Sequence, residues 1–305
     1  MLPQYISQEE FERIVSTQSA KNKAIFTYLN VRVIFMKEKL IDAKEAVELV
    51  PDGCSITFSG VSMVRKPMGF VAEIIKAKKK DLYIVDREAG MDFDMLVAAK
   101  CVKKARAAMV GFELFGLALN LRRAVEQGEV EFIEETCGAI TNALRAGSQG
   151  IPFVPVKGIL GTDLVDLHVK EGNWKIIENP FSGDKMIAVK AVNPDVAVIH
   201  VQKADKFGNS SIEGARFEDI YKAKASKKLI ITAEEIVPTD YFKQNPERNT
   251  IPYFYVDAVV HMPKGAYPTA CPNYYDPDYD EIRRYISLSR EGKVGEYIEE
   301  FIKRW

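Results

Sequence analysis

From Ile41 onward the apolar positions switch between two spacings. Short apolar runs of four to eight residues have the look of buried strands, and stretches with apolar residues three and four apart have that of helices. The pattern predicts a helix over Ala43–Val50, ended by the turn signal Pro51-Asp52-Gly53, then a strand over Ser55–Phe58. A helix over Pro67–Lys80 carries Met68, Val71, Ile74 and Ile75 at helical spacing. Strands are expected at Leu82–Val85, Ala107–Phe112, Val130–Ile133 and Phe153–Val156. Between them lie helices at Asp94–Cys101, Leu117–Gln127 and Gly138–Ser148, the last two stopped by Gly128 and Gly150. The order strand, helix, strand, helix argues for an α/β fold, a largely parallel sheet flanked by helices.

Gly158–Asp184 breaks this rhythm and reads as a long loop or a small hairpin insertion. Beyond it the pattern gives a buried strand at Asp195–Val201, a helix at Arg216–Ala225, and strands at Leu229–Thr232 and Tyr255–Met262. A loop rich in Pro, Gly and Tyr follows from Pro263 to Tyr279, and helices at Asp280–Ser289 and Val294–Lys303 close the chain. No internal repeat appears, so residues 36–305 are expected to form a single domain. Residues 1–35 stand apart. Ser7 and Glu10 form a capping pattern for a short helix to Val15, and Ala24–Phe35 is apolar but broken by Asn30 and Arg32. With no small-residue cleavage site, this is not the pattern of a secretory signal. It reads as an extension, or as an upstream reading of a start at Met36.

Composition narrows the function classes. With 305 residues, 47% hydrophobic, 28% charged and a net charge of −1, the chain has no electrostatic footprint of a nucleic-acid or membrane-surface binder. No apolar run approaches the ~20 residues that span a bilayer. Cys54, Cys101, Cys137 and Cys271 are widely spaced and form no zinc pattern, so they read as reduced thiols in the cytoplasm. The three histidines, His168, His200 and His261, are too dispersed to propose a metal site.

The most informative stretch is Ile56-Thr57-Phe58-Ser59-Gly60-Val61-Ser62-Met63-Val64-Arg65-Lys66-Pro67: a strand, a tight loop and a helix start. In open α/β sheets such junctions lie at the carboxyl edge, where ligands bind. The amides of Val61 and Ser62 would suit an oxygen that becomes an oxyanion, and Arg65 offers a planar fork for a carboxylate. The plainer alternative is an ordinary turn with Arg65 and Lys66 in solvent. The loop holds no acid, thiol or histidine to act as nucleophile. A second junction, Glu134-Glu135-Thr136-Cys137-Gly138, either places acids at a helix N-terminus or puts Cys137 and Gly138 at the floor of the same crevice. His200 and Gln202 alternate on a strand and either face a polar pocket or are satisfied inside the domain.

Taken together with Gly150-Ile-Pro-Phe-Val-Pro-Val156, Glu178-Asn-Pro-Phe181, His200-Val-Gln-Lys-Ala-Asp205, Glu234-Glu-Ile236 and Val256-Asp-Ala-Val-Val260 leading to Pro263, Gly265, Pro268 and Cys271, these motifs make Met36–Trp305 resemble the A subunits of family I CoA-transferases, of the glutaconate CoA-transferase kind. The resemblance implies a CoA-transferase (NagB/RpiA-like) fold and an enzyme active only with a B subunit, commonly as A2B2. It implies no permanently bound cofactor, a CoA thioester as substrate, and a nucleophilic glutamate on the B subunit. It also implies that Gly60, Val61 and Ser62 form an oxyanion loop. Arg65, Lys66, Cys137, Gly138, His200 and Gln202 then become the expected substrate-binding residues. In a hydrolase branch that opens steroid-derived rings, the position aligned with Cys137 carries a glutamate, so the cysteine speaks against that branch. A decarboxylase branch acting on 3-methylglutaconyl-CoA, or a non-catalytic CoA-ester binding subunit, stays open.

Overall fold

Chain segments form strands where the apolar runs are longest, and helices where those runs give way to helical spacing. The computed structural model describes residues 37–305, so the expectations for residues 1–35 lie outside the described residues. The first half holds α1 (Ala43–Ala46), β1 (Ser55–Phe58), α2 (Met68–Lys76), β2 (Leu82–Ala89), α3 (Met91–Ala98), β3 (Val102–Val110), α4 (Leu119–Glu126), β4 (Glu131–Glu134) and α5 (Cys137–Ser148). Next come β5 (Phe153–Val156), α6 (Leu164–Lys170), β6 (Trp174–Glu178) and β7 (Lys185–Lys190). The rest is β8 (Val196–Ala204), β9 (Ser210–Ser211), α7 (Asp219–Ala225), β10 (Lys228–Ile236), α8 (Asp240–Gln244), β11 (Ala258–His261), α9 (Tyr279–Arg290) and α10 (Val294–Ile302).

Seven strands line up in the order β11-β10-β8-β1-β2-β3-β4, and each neighbouring pair is parallel. Strand β9 adds to β8 in the antiparallel sense. The chain thus runs outward from β1 to β4, then returns to the other side of β1 to lay down β8, β10 and β11. That reversal makes a topological switch point between β1 and β8, where the register sets Phe58 beside Val198. A crevice at the carboxyl ends of these two strands is where open α/β sheets bind ligands.

Burial explains the parallel sheet. Residues 196–202 of β8 are buried without a break, as expected for a strand covered on both faces. Ile56, Phe58, Val196 and Val198 join one apolar cluster with Phe70, Met95, Tyr285 and Phe301. Ala197, Ile199 and Val201 point the other way and join a second cluster with Ala223, Leu229 and Ile231.

The expected strand at Phe153–Val156 exists, but not in the parallel sheet. It pairs antiparallel with β7, which pairs antiparallel with β6. Pro155 lacks the N–H that a central strand donates, and β5 alternates exposed and half-buried residues rather than being buried throughout. The insertion is therefore a three-stranded sheet with its own helix α6, more than the loop or hairpin expected. Its inner face packs Trp174, Ile187 and Val189 on Ala139 and Ala143 of α5. Trp174 stacks on His168 with ring centroids 4.0 Å apart. Replacement Trp174→Ala is expected to cost about 3–5 kcal/mol of unfolding free energy in urea titration. A loss under ~1 kcal/mol would contradict this account of how the insertion is anchored.

Candidate active site

The chain leaves β1 at Ser59, whose hydroxyl donates to the Arg65 carbonyl at 2.6 Å and accepts the His200 N–H at 2.9 Å. Gly60 follows with φ +71°, and a Cβ there would lie 1.8 Å from the Val64 carbonyl oxygen. Only glycine fits both demands. Val61 and Val64 then close on each other: the Val61 N–H reaches the Val64 carbonyl at 3.2 Å, and the Val64 N–H reaches the Val61 carbonyl at 2.9 Å. Ser62 and Arg65 sit in the left-handed region at φ 47° and 52°. Such conformations persist only when the surroundings over-determine them. Here the Ser62 hydroxyl donates to the Gly111 carbonyl at 3.3 Å, and the Arg65 N–H donates to the Ala270 carbonyl at 2.7 Å. Gly90 lets the Ser62 carbonyl approach, since a Cβ at Gly90 would lie 2.3 Å from that oxygen.

Beneath the turn lies a buried charge cluster. Arg65 pairs with Asp219 at 2.6 Å, and the other Asp219 oxygen accepts the Gly60 N–H at 2.9 Å. The Arg65 guanidinium also donates to the carbonyls of His200 and Ala215. Lys66 lies 3.3 Å from Asp92 and 3.6 Å from Asp86, and donates to the Glu88 carbonyl at 3.2 Å. Lys222 reaches Asp86 at 2.6 Å and the Phe58 carbonyl at 2.7 Å. All six side chains are fully buried. Burial favours the neutral amine of Lys66, but Asp86 and Asp92 outweigh it and raise its pKa above the usual lysine value.

Both sequence expectations for Arg65 and Lys66 therefore need correction. Neither side chain lies in solvent, and the Arg65 fork that was expected to take a substrate carboxylate already holds Asp219. The two cations shape the loop from below. The oxyanion expectation also narrows. The amides of Gly60 and Val61 are committed to Asp219 and Val64, whereas those of Ser62 and Met63 have no acceptor among the described residues. A buried amide without a partner is rare and suits an incoming oxygen.

Cys137 opens helix α5 and is exposed. The helix is capped by Thr136, whose hydroxyl accepts the Ala139 N–H at 3.1 Å. Gly138 faces open space. The Glu135 carboxylate accepts the Thr136 N–H at 3.0 Å and Arg106 Nε at 2.7 Å, so it fixes the start of the helix rather than entering a crevice. Arg87, just past Asp86 on β2, links this junction to the Gly60 turn. It pairs with Glu218 at 2.6 Å and Glu88 at 3.0 Å. Burial lowers its pKa, but Glu218, Glu88 and a hydrogen bond with Cys137 raise it overall. Strand β2 thus reaches the loop through Asp86 and Glu88, and Arg87 between them pairs with Glu218 at the start of α7. The sequence reading ended this strand at Val85 and missed all three, although three consecutive charges after an apolar run were the available signal. Asp92, Asp219 and Lys222 carried no such signal.

His200 and Gln202 are fully buried and braced inside the fold by hydrogen bonds. Gln202 donates to the carbonyls of Glu213 and Pro272 and accepts the Glu213 N–H. His200 Nε2 donates to Glu234 at 2.8 Å, and the Thr232 hydroxyl donates to Nδ1 at 2.8 Å, because an ionised carboxylate only accepts. Glu234 also accepts the Tyr275 hydroxyl and the Lys264 N–H. Burial lowers the His200 pKa against the opposing pull of Glu234. His200, Glu234 and Cys271 carry donor atoms within 4.8 Å of one another, as a metal site would need. However, the histidine and the carboxylate are already saturated by hydrogen bonds. Burial also pushes the Cys271 thiol up to about 12. Among the described residues no helix is long and apolar enough to cross a membrane.

Comparison with known proteins places this geometry in a family. The family model described as "Coenzyme A transferase" matches residues 40–262. An uncharacterized protein of Archaeoglobus fulgidus is 41% identical over 88% of this chain, which spans only 60% of that longer relative. The A subunit of glutaconate CoA-transferase from Acidaminococcus fermentans is 32% identical over 282 residues, 88% of this chain and 87% of the relative. The crystal structure of glutaconate coenzyme A-transferase from that organism superposes with a TM-score of 0.81, covering 88% of each chain. The decarboxylase AibA/AibB superposes with a TM-score of 0.80 at 31% identity, covering 88% of this chain and all of that one.

Two outcomes test the site as built. Asp219→Ala strands the Arg65 charge in the interior and should cost about 3–5 kcal/mol of stability by chemical denaturation. A cost below ~1 kcal/mol would mean the pair does not hold the loop. The second concerns acid. Because His200 has a folded pKa below its ordinary 6.5, its contribution to stability is intact above that pH and is lost as pH falls through it. His168, lowered in the same way by burial, adds to the slope. Between pH 7.5 and 5.5 the wild-type protein should lose stability, and His200→Gln should lose less over the same interval. Equal slopes would show that His200 does not titrate differently on folding.

Proposed function

This chain belongs to the coenzyme A transferase family, and on that premise we propose that it is the A subunit of a two-chain enzyme moving CoA between an acyl-CoA thioester and a carboxylic acid. The observation that carries this reading is the pair of unpartnered amides at Ser62 and Met63, held at the sheet's switch point over a cluster whose carboxylates are all ion-paired. Such a loop can steady a developing oxyanion, a contribution of roughly 3–4 kcal/mol per donor in enzymes where it has been tested. Asp86, Asp92 and Asp219 are engaged by cations, and in this reading the attacking carboxylate is the partner chain's, as the resemblance to A subunits implies.

In the proposed sequence a carboxylate of the partner attacks the thioester carbonyl carbon, the C–S bond breaks, and CoA leaves as thiolate. The thiolate then attacks the partner's acylated carboxyl group and expels the first acid as its carboxylate. The acceptor acid reverses these steps and leaves with CoA. Ser62, with Met63, faces the carbonyl oxygen. Cys137 and Gly138 shape the acyl pocket beside Arg87, and His200 and Gln202 stiffen the wall behind the loop. Gly60 and Val61 serve by their backbone geometry, Arg65 and Lys66 by the charges they hold in place. The substrates are short dicarboxylic acids and their CoA esters, by analogy with the glutaconate relative. The assembly is A2B2, and free thiols at all four cysteines fit a cytoplasmic setting. Residues 36–305 act as one domain in this reading. The likeness to AibA/AibB favours decarboxylation as the second reading.

The test is co-expression with the family's B chain from the same genome, with glutaryl-CoA or acetyl-CoA as donor and a dicarboxylate as acceptor. CoA transfer without net hydrolysis or CO2 release is the expected outcome. Release of CO2 without transfer would move the assignment to a decarboxylase, and free CoA with no new thioester would move it to a hydrolase.

A further inference from the structure

At the carboxyl end of β3 several large apolar side chains stand uncovered: Leu114 is 91% exposed, Leu117 60%, Val125 37% and Met109 36%. Met109, Leu117 and Val125 line a groove of about 430 Å³ together with Leu121 of α4 and Phe132 of β4. The backbone holds Leu114 outward. Glu113 and Gly116 are both left-handed, at φ 50° and 91°. The turn is locked by the Phe115 N–H on the Phe112 carbonyl at 2.9 Å and the Phe112 N–H on the Gly116 carbonyl at 2.8 Å. A strained, hydrogen-bonded turn that presents leucine to water is costly for a chain that stays alone. Apolar patches with a polar rim mark interaction surfaces. The rim here is mostly acidic, with Glu113, Glu126 and Glu134, and Arg122 is occupied by Glu126 at 2.9 Å.

We propose that this face is the docking surface for the second subunit, with Leu114 and Leu117 as its apolar anchors and a basic rim on the partner opposite Glu113, Glu126 and Glu134. The inference rests on the two-chain reading above. Continuity with the reaction loop selects this occupant over a small ligand or a second copy of the chain. Gly111 accepts the Ser62 hydroxyl and pairs with Leu117 on its other side, so the groove begins where the loop with the free amides ends. A chain that covers the loop from this side also covers Leu117. Depletion of charge at the centre, with charges kept to the edge, is the usual anatomy of such interfaces.

Leu114→Asp and Leu117→Asp are surface changes, so each variant alone should unfold at the wild-type temperature. Co-expressed with the B chain, each should weaken association at least ~30-fold, the effect of losing one interface hot spot. Phe181→Asp, at an equally exposed residue on the tip between β6 and β7, should assemble normally. As an independent readout, hydrogen exchange on the wild-type complex should show residues 109–118 protected relative to the isolated chain. Normal assembly of both leucine variants, or no protection over 109–118, would overturn the proposal while leaving the two-chain reading intact. So would an isolated wild-type chain that self-associates through these leucines. A wild-type chain that never associates with the B chain would instead overturn the two-chain reading, and this proposal with it.

Discussion

The structure depends on keeping three cations and three carboxylates, all fully buried, in register beneath one glycine turn. Burying a charge is expensive, and a buried pair repays that cost only with good geometry and satisfied neighbours. The cluster meets the condition by sharing. Asp219 takes both Arg65 and the Gly60 amide, and Asp86 takes both Lys66 and Lys222. The charges cancel, and the terminal nitrogens of Arg65 and the amines of Lys66 and Lys222 also donate to main-chain carbonyls, while Arg65 Nε has no hydrogen-bond partner among the described residues. An apolar core of the same volume would fill the space but would not dictate where the Gly60 amide points.

That constraint explains how a strained loop survives at the end of a strand. Ser62 and Arg65 would relax from their left-handed conformations if the ends of the loop were free. They are not free. One end is fixed to β8 through Ser59 and His200, the other to the Pro263–Tyr279 loop through Arg65 and Ala270. The carboxyl ends of β1, β2 and β8 and the start of α7 therefore act as one rigid mount that keeps the Ser62 amide in place at the switch point. Preorganised donors of this kind are what electrostatic stabilisation of an oxyanion requires. His200, Glu234 and Tyr275 extend the mount below the loop, each hydrogen-bonded to the next.

Much of this scaffold was legible in the chain. The apolar run Ile56–Phe58, broken by Ser59-Gly60 and followed by Pro67, marks a strand, a turn and a helix entry, because each break has a local cause. The charge cluster was not legible from the residues alone. Arg65 and Lys66 look like solvent cations until Asp86, Asp92 and Asp219 are brought to them by the parallel crossings, and nothing local announces those contacts. Val61 was expected to offer its amide, but the closure on Val64 depends on turn geometry that side-chain chemistry does not encode. The antiparallel insertion was half legible: Pro155 signals a strand unfit for the sheet centre, whereas Lys185–Lys190 lacked a run long enough to stand out. His200 and Gln202 could have been pocket or core, and only their partners decide.

The central claim is that Arg65 and Asp219 act as one unit that holds the Gly60 turn. A double-mutant cycle with Arg65→Met and Asp219→Leu, read by chemical denaturation, tests it most directly. The account predicts that each single change is more damaging than its share of the double, with a coupling of about 1–3 kcal/mol, because each alone leaves a buried charge without its partner. Losses that add to within ~0.5 kcal/mol would show that the two side chains stabilise the fold independently, and the turn would then need another explanation.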